Sequence, residues 1–276
     1  MVHVDQEHFS PKRFCLAFKD LDGNPTSFLE QKDAFEFLSL NIDRIEEQLK
    51  GTKHANFIKA HFGGLLCNEL ICKGCPHYYE REEPFLSLNL IVRNKKNIKE
   101  SLESFVEGEI MDGDNAYYCE QCQMKVKTVK RVSIKKLPSY LLIGLKRFDY
   151  NFDMGIRIKM NDYCEFPFEL NMLPYTQQYL NKMERPRKNT GDATHSQMYS
   201  NSKSMNGSQA SGEYTLKGVV IHMGTADSGH YYSIIKDKEV DANGKTNNVW
   251  LEFNDSKVSD FNIRDLPNIA FGEREG

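Results

Sequence analysis

Residues 214–236 read Tyr-Thr-Leu-Lys-Gly-Val-Val-Ile-His-Met-Gly-Thr-Ala-Asp-Ser-Gly-His-Tyr-Tyr-Ser-Ile-Ile-Lys. Apolar, β-branched and aromatic runs at 214–222 and 230–236 flank Met223-Gly224-Thr225-Ala226-Asp227-Ser228-Gly229, a stretch of turn formers, which is the pattern of two strands and a short connection. A third strand-like run, 249–253, follows a charged loop at 237–248 that carries Gly and Asn. Connections this short favour antiparallel neighbours. Pairing 216–222 with 230–236 brings His222 near His230, and pairing 230–236 with 249–253 brings His230 to the neighbourhood of Asn254 and Asp255. One end of the sheet thus gathers two imidazoles, an amide and a carboxylate.

A His oriented by an adjacent Asn or Asp is the base-and-orienter half of a nucleophilic site. The amide fixes the tautomer, and the other ring nitrogen takes a proton from a thiol or hydroxyl. Two other readings of the same residues stay open: two His and a carboxylate can ligate a metal such as Fe(II), and a strand-end His can be a satisfied structural residue. Asn254-Asp255-Ser256 also matches a glycosylation sequon, which has no use in an intracellular chain.

Upstream, Phe28, Leu29, Ala34, Phe35, Leu38, Ile42, Ile45 and Leu49 recur at spacings of three and four, which predicts a helix over 28–50 that Gly51 can cap. Strand-like runs follow at 85–92 and 128–134, and 140–145 reads as a strand buried on both faces. A short helix is predicted at 98–106, and a turn at 111–115. Residues 181–212, dense in Asn, Ser, Lys, Gly and Gln without an apolar period, are expected to be a disordered insertion. The 276 residues allow one large domain or two modest ones. With 36 basic against 39 acidic residues, net -3, a cationic nucleic-acid reader is disfavoured. No stretch is long and apolar enough to span a bilayer, and the first residues lack the regions of a signal peptide. These features predict a soluble intracellular chain, cytoplasmic with nuclear residence also allowed.

Seven cysteines are too few for a disulfide scaffold at this length. Four form two Cys-x-x-Cys pairs, Cys72/Cys75 and Cys119/Cys122, separated by the 43 residues 76–118. Two such knuckles can present four thiolates to a tetrahedral Zn2+, provided strands fill the gap and bring them together. A redox role would need only one pair, usually beside a βαβ unit, and none is visible. Two unrelated pairs of buried thiols are the plain alternative. Cys67 and His77 lie close enough in sequence to replace a ligand.

At this point the residues carry a resemblance. Gly229-His230-Tyr231-Tyr232, followed by Trp250-x-x-Phe253-Asn254-Asp255, resembles the His box of the ubiquitin-specific proteases. Gln31-Lys32-Asp33-Ala34-Phe35-Glu36-Phe37-Leu38 resembles that family's second motif, the paired knuckles its zinc-bearing fingers, and Leu145-Lys146-Arg147-Phe148 the palm strand after them. Cys75-Pro76-His77-Tyr78-Tyr79-Glu80 and Asn161-Asp162-Tyr163-x-Glu165-Phe166-Pro167 look like the fat facets branch. The similarity runs in order from about 28 to 272.

The resemblance implies an α+β, papain-like right-hand fold: a partial helical thumb (28–50), zinc-ribbon fingers (65–135) and an antiparallel palm (136–180 and 213–272). It implies thiol-dependent hydrolysis of the bond after the C-terminal Gly of ubiquitin, so ubiquitin and ubiquitinated proteins are the expected partners of a monomer that uses neither nucleic acid nor membrane. His230 matches the general base, Asn254 its orienter and Asp255 a supporting neighbour. Cys72, Cys75, Cys119 and Cys122 match the ligands of a structural zinc. Gln31, Asp33, Glu36 and Tyr231 match the channel for ubiquitin's basic tail, where negative charge is favourable; otherwise Asp33 and Glu36 belong to a solvated helix face.

Two parts of the pattern find no counterpart in 1–276. The family's nucleophile box, Gly-Asn-Thr-Cys-Tyr followed by Asn-Ser, opens a helix whose N-terminus helps hold the thiolate. Cys15 sits instead in Phe14-Cys15-Leu16-Ala17-Phe18 and is expected in the core. The closing strand after a Phe-Gly-Gly-like turn is also unmatched. The expectation is a deubiquitinase fold without its nucleophile, inactive as given, with an inactive ubiquitin-binding remnant or scaffold as the alternative. A zinc-ribbon nucleic-acid binder is a weaker third reading.

Overall fold

The computed structural model describes residues 10–20, 23–24, 33–184, 212–240 and 246–273. The chain opens with helices α1 (Lys12–Ala17), α2 (Ala34–Leu49) and α3 (Phe57–Phe62). Strands β1 (Gly64–Cys72), β2 (Tyr78–Phe85) and β3 (Ser87–Ile91) lead to α4 (Ile98–Val106). Short strands β4 (Glu109–Met111), β5 (Tyr117–Cys119) and β6 (Met124–Val126) precede the long β7 (Thr128–Lys136) and then β8 (Leu142–Lys146). After β9 (Phe148–Asn151), β10 (Ile156–Lys159) and β11 (Glu169–Asn171) comes α5 (Gln177–Glu184). The last part holds β12 (Glu213–Thr215), β13 (Gly218–Gly224), β14 (Gly229–Val240), β15 (Thr246–Asn254), β16 (Lys257–Asp260) and α6 (Leu266–Ala270).

Two four-stranded antiparallel sheets dominate, in the orders β2-β1-β7-β4 and β13-β14-β15-β16. Strand β3, in the stretch assigned to the fingers, pairs in parallel with β8. Parallel neighbours need a long crossover, and residues 92–141 supply it. The main core joins Leu88 and Leu90 of β3, Ile98, Leu102 and Val106 of α4, Ile134 of β7 and Met172. A second core under β13 and β14 holds Ile221, Tyr232, Ile234 and Leu266, and Phe166 packs against both.

Local chemistry explains the helix boundaries. In α4 the Asn97 side chain accepts from Glu100 N–H at 3.0 Å, while Glu100 accepts from Lys96 N–H at 2.9 Å, a reciprocal cap ahead of an apolar face. Helix α2 starts at Ala34, later than the apolar period suggests, because Asp33 is extended (φ -69°, ψ 130°) and caps Phe35 N–H and Glu36 N–H. Over α2 lies a cavity of about 550 Å³ lined by Phe35, Leu38 and Ile42 on one side and Phe85 and Leu142 on the other.

Other expectations need correction. The run at 85–92 divides, with Phe85 ending β2 and β3 starting at Ser87. Strand β8 starts at Leu142 and is half-buried rather than enclosed on both faces. The run at 214–222 also divides: β12 pairs with β11, and only β13 pairs with β14. Strands β14 and β15 extend to Val240 and back from Thr246, so most of the expected loop at 237–248 is ladder. Cross-strand pairing overrides the turn-forming composition there. Of the insertion at 181–212, residues 181–184 belong to α5 and Gly212 O accepts from Met172 N–H at 2.8 Å; residues 185–211 lie outside the described residues. Cys15 is half-buried on α1, which has no buried residue, and not in the core. This helix lies on α2 through aromatic contacts, Phe18 to Phe37 at 5.0 Å and Phe14 to Phe37 at 6.4 Å.

Candidate functional site

The β13–β14 hairpin sets His222 opposite Tyr231, Met223 opposite His230 and Gly224 opposite Gly229. A Cβ at Gly229 would stand 2.1 Å from His222 Nε2 and 2.2 Å from Met223 O, so only glycine lets the strand lie this close ahead of His230. On the other side, β15 ends at Asn254, and the turn into β16 uses Asp255 at φ 53°, a left-handed position that Asp tolerates.

This register brings His230 Nε2 to 2.7 Å from Asn254 Oδ1. The Asn254 amide in turn donates to Glu252 Oε1 at 3.2 Å, which fixes its flip and makes Oδ1 the acceptor. The imidazole proton therefore sits on Nε2, and Nδ1 is left as the basic nitrogen. Asp255 Oδ2 lies 3.9 Å from the same Nε2, with its side chain 80% exposed. His222 belongs to the wall instead. Its ring packs against Tyr231 at 4.6 Å and edge-on to Phe148 at 5.1 Å. Burial, aided by the Lys159 ammonium, lowers its pKa. Among the described residues, the two imidazoles and Asp255 form no metal-ligating group.

Helix α2 reaches this site by its N-terminus. Burial raises the Tyr231 pKa, and the Ala34 N–H at the start of the helix works against that rise. Asp33, whose carboxylate accepts from Phe35 N–H at 2.7 Å and Glu36 N–H at 3.0 Å, stands beside Tyr231 and His222. Glu36 is exposed in the first turn. Gln31 lies outside the described residues.

A second cluster forms where β1 ends and β7 begins. Cys75, His77, Cys119 and Cys122 bring their ligating atoms within 4.8 Å of one another, a group that can hold a metal ion. Cys75 Sγ is 3.8 Å from Cys119 Sγ, and His77 Nδ1 is 3.3 Å from both Cys119 Sγ and Cys122 Sγ. The second knuckle is the β5–β6 hairpin, turned by Gln123 at φ 53°. Burial opposes ionisation of Cys119, but hydrogen bonds from Tyr79, the Cys122 N–H and His77 outweigh it and bring the thiol down to about 6.

Cys72 stands beside this group without joining it. It closes β1 opposite Thr128, whose hydroxyl donates to its sulfur at 3.8 Å, and it belongs to the small buried cluster against which Cys75 packs. His77 takes the fourth place because the chain turns back at Pro76, with Cys72 N–H donating to His77 O at 3.3 Å. The Cys75-Pro76-His77 spacing was the available signal. Cys67 is elsewhere, fully buried in β1, with burial and then Glu80 pushing its thiol up to about 12.

A family model described as ubiquitin carboxyl-terminal hydrolase matches residues 1–268. Ubiquitin carboxyl-terminal hydrolase 9Y of Mus musculus is 41% identical over 274 residues, covering 96% of this chain and 10% of the relative. Probable ubiquitin carboxyl-terminal hydrolase FAF of Drosophila melanogaster is 39% identical over 258 residues, covering 94% of this chain and 9% of the relative. The chain thus spans about a tenth of the length of the curated relatives it matches. Among solved structures, the SAGA Ubp8/Sgf11/Sus1/Sgf73 DUB module bound to ubiquitin aldehyde is similar, with a TM-score of 0.64 and 27% identity over 88% of this chain and 48% of that one.

Proposed function

The chain belongs to the ubiquitin carboxyl-terminal hydrolase family and has its α+β, papain-like right-hand fold; on that premise we propose that it serves thiol-dependent hydrolysis of the bond after the C-terminal Gly of ubiquitin. The observation that carries this reading is the 2.7 Å bond between His230 Nε2 and Asn254 Oδ1. It presents Nδ1 as the base for a thiol, with Asn254 holding the ring and Asp255 adding negative charge nearby. Tyr231, Asp33 and Glu36 form the approach for ubiquitin's basic tail, where carboxylates attract the passing chain; Gln31 is assigned the same role from the sequence alone. Helix α2 acts as the thumb (28–50), the knuckle-bearing strands as fingers (65–135), and 136–180 with 213–272 as the palm.

We assign the metal as a structural zinc. Metal–sulfur bonds of about 2.3 Å in a tetrahedron separate two sulfurs by about 3.8 Å, and shorter metal–nitrogen bonds give slightly shorter S–N edges. The edges of 3.8 Å and 3.3 Å among Cys75, Cys119, Cys122 and His77 fit that ion. Bound there, zinc would tie the two knuckles together and contribute folding free energy.

No cysteine is assigned as nucleophile: among the described residues, none hydrogen-bonds His230. That same observation favours a second reading, a ubiquitin-binding module without turnover. One experiment separates them. The 276-residue chain should leave a fluorogenic ubiquitin C-terminal substrate uncleaved. Joined to a family Cys-box segment and closing strand, it should turn over, and the cavity over α2 offers such a segment an apolar seat. His230→Ala should then cost on the order of 10²–10⁴ in rate, the usual worth of a positioned base, with a smaller loss for Asn254→Ala. A folded, metal-loaded joined chain that binds ubiquitin yet never reacts with a ubiquitin thiol probe would favour the binding module. Activity of the chain as given, abolished by Cys15→Ser, would refute the exclusion of Cys15.

A further inference from the structure

The knuckle cluster holds one sulfur more than a tetrahedral ion uses. Cys75, His77, Cys119 and Cys122 complete four positions, and Cys72 remains as a fifth soft donor in the small buried cluster against which Cys75 packs. The two share a Cys-Lys-Gly-Cys turn, a spacing on which disulfides close readily. Cys119 and Cys122 share an equivalent spacing, but both of those sulfurs belong to the ligating group. Among the cysteines, Cys72 alone lies in the ligand cluster without belonging to the ligating group. The Thr128 hydroxyl donates to its sulfur at 3.8 Å. Cys75 is half-buried and Cys72 is buried, so an oxidant arriving from solvent meets the ligand first and the spare thiol second.

We propose that Cys72 is a resolving thiol for the metal ligand Cys75, so that a two-electron oxidant of the hydroperoxide class converts this knuckle to a disulfide and releases the metal. The proposal rests on the zinc reading of the cluster. In the first step the Cys75 thiolate attacks one peroxide oxygen; the O–O bond breaks, hydroxide leaves, and Cys75 becomes a sulfenic acid. In the second, Cys72 sulfur attacks Cys75 sulfur; the S–O bond breaks, and the Cys72 proton departs with that oxygen as water. Two sulfurs lose two electrons in total, and one hydrogen peroxide is reduced to hydroxide and water. The ion keeps only His77, Cys119 and Cys122. Three donors cannot close a structural tetrahedral site, and a thiol reductant restores the fourth.

The test uses the zinc-loaded 276-residue chain, hydrogen peroxide as probe, a metallochromic dye for released zinc and differential alkylation with peptide mass mapping. Zinc release should accompany a Cys72–Cys75 cross-linked peptide, and dithiothreitol should reverse both. Cys72→Ser and Cys72→Ala should each purify with one zinc per chain, like wild type, and release it about tenfold more slowly under peroxide, since a sulfenic acid without its resolving partner reacts on more slowly. Loss of zinc from both variants before any oxidant would make Cys72 a ligand and overturn the proposal. Wild-type release rates in both variants, or a disulfide mapping to Cys119–Cys122, would overturn it equally. A wild-type chain without zinc would remove the metal reading and this proposal with it.

Discussion

Glu69 and Arg131 are 1% and 4% exposed in the middle of the β1–β7 ladder, with the guanidinium Nε donating to the carboxylate at 2.9 Å. Ser133 and Tyr78 donate to the same carboxylate at 2.7 Å and 2.6 Å, and Arg131 also donates to Asn181 of α5 at 2.8 Å. Burial alone would raise the Glu69 pKa, yet these donors, Arg131 foremost, lower it. Arg131→Ala leaves the carboxylate without its counter-charge and should cost about 3–5 kcal/mol, read from urea unfolding at neutral pH. Glu80, at the rim of the network, is more exposed. Lys135, donating at 3.0 Å, is the main reason its carboxyl falls to about 2. A depressed carboxyl stabilises the fold above its unfolded pKa and loses that effect as pH falls through its folded one. The stability gap between wild type and Glu80→Gln should therefore shrink between pH 4.5 and about 2. A gap that widened on acidification would contradict the assigned ion pair.

Asp33 decides where α2 begins. It stands outside the helix in an extended conformation and accepts from two of the first-turn N–H groups, which have no partner within the helix. Asp33→Ala should cost about 1 kcal/mol of stability and Asp33→Asn much less, because the amide oxygen can still cap; equal losses in urea unfolding would count against the cap. The apolar period announced this helix but not its start, since Phe28 and Leu29 continue the spacing past a residue whose side chain ends it. Strand pairing near His230 was legible for a different reason. Alternating runs and a short turn leave few ways to align β13 and β14, so His230 and Asn254 could be placed at one sheet end. His222 was less legible, because a shift of one residue decides whether a side chain faces the base or the wall. The choice between Cys72 and His77 had only the Cys75-Pro76-His77 spacing as its signal. Spacing counts sulfurs, whereas the turn at Pro76 decides which donors converge. The parallel β3–β8 pair had no local signal at all, because it is made across a crossover of some fifty residues.

At the scale of the whole molecule, the two sheets would depend on a metal at the knuckles to different degrees. The β13–β16 sheet and its core of Ile221, Tyr232, Ile234 and Leu266 lie apart from the knuckles, whereas Cys72, Cys119 and Val126 pack as a small cluster of their own. Chelation should therefore remove amide-exchange protection from 72–79 and 117–126 first and leave β13–β15 protected. Simultaneous loss in both sheets would mean that the ribbon and the palm unfold as one cooperative unit.

The parallel pairing of β3 with β8 also bears on how the chain finds its fold. These strands cannot meet until the residues between them have come back, and closing a loop of that length costs chain entropy before any contact repays it. The knuckles sit where that return can begin: Cys72 pairs with Thr128, and the ladder runs from there to Leu65 opposite Lys136. An ion joining Cys75 and His77 to Cys119 and Cys122 acts like the slider of a zipper. It aligns the first rung, each later rung closes only a short loop, and the last one delivers Ser87 to Leu142. In that sequence a bound cation would be a kinetic nucleus, setting how soon β3 and β8 meet as well as how firmly the ribbon is held afterwards.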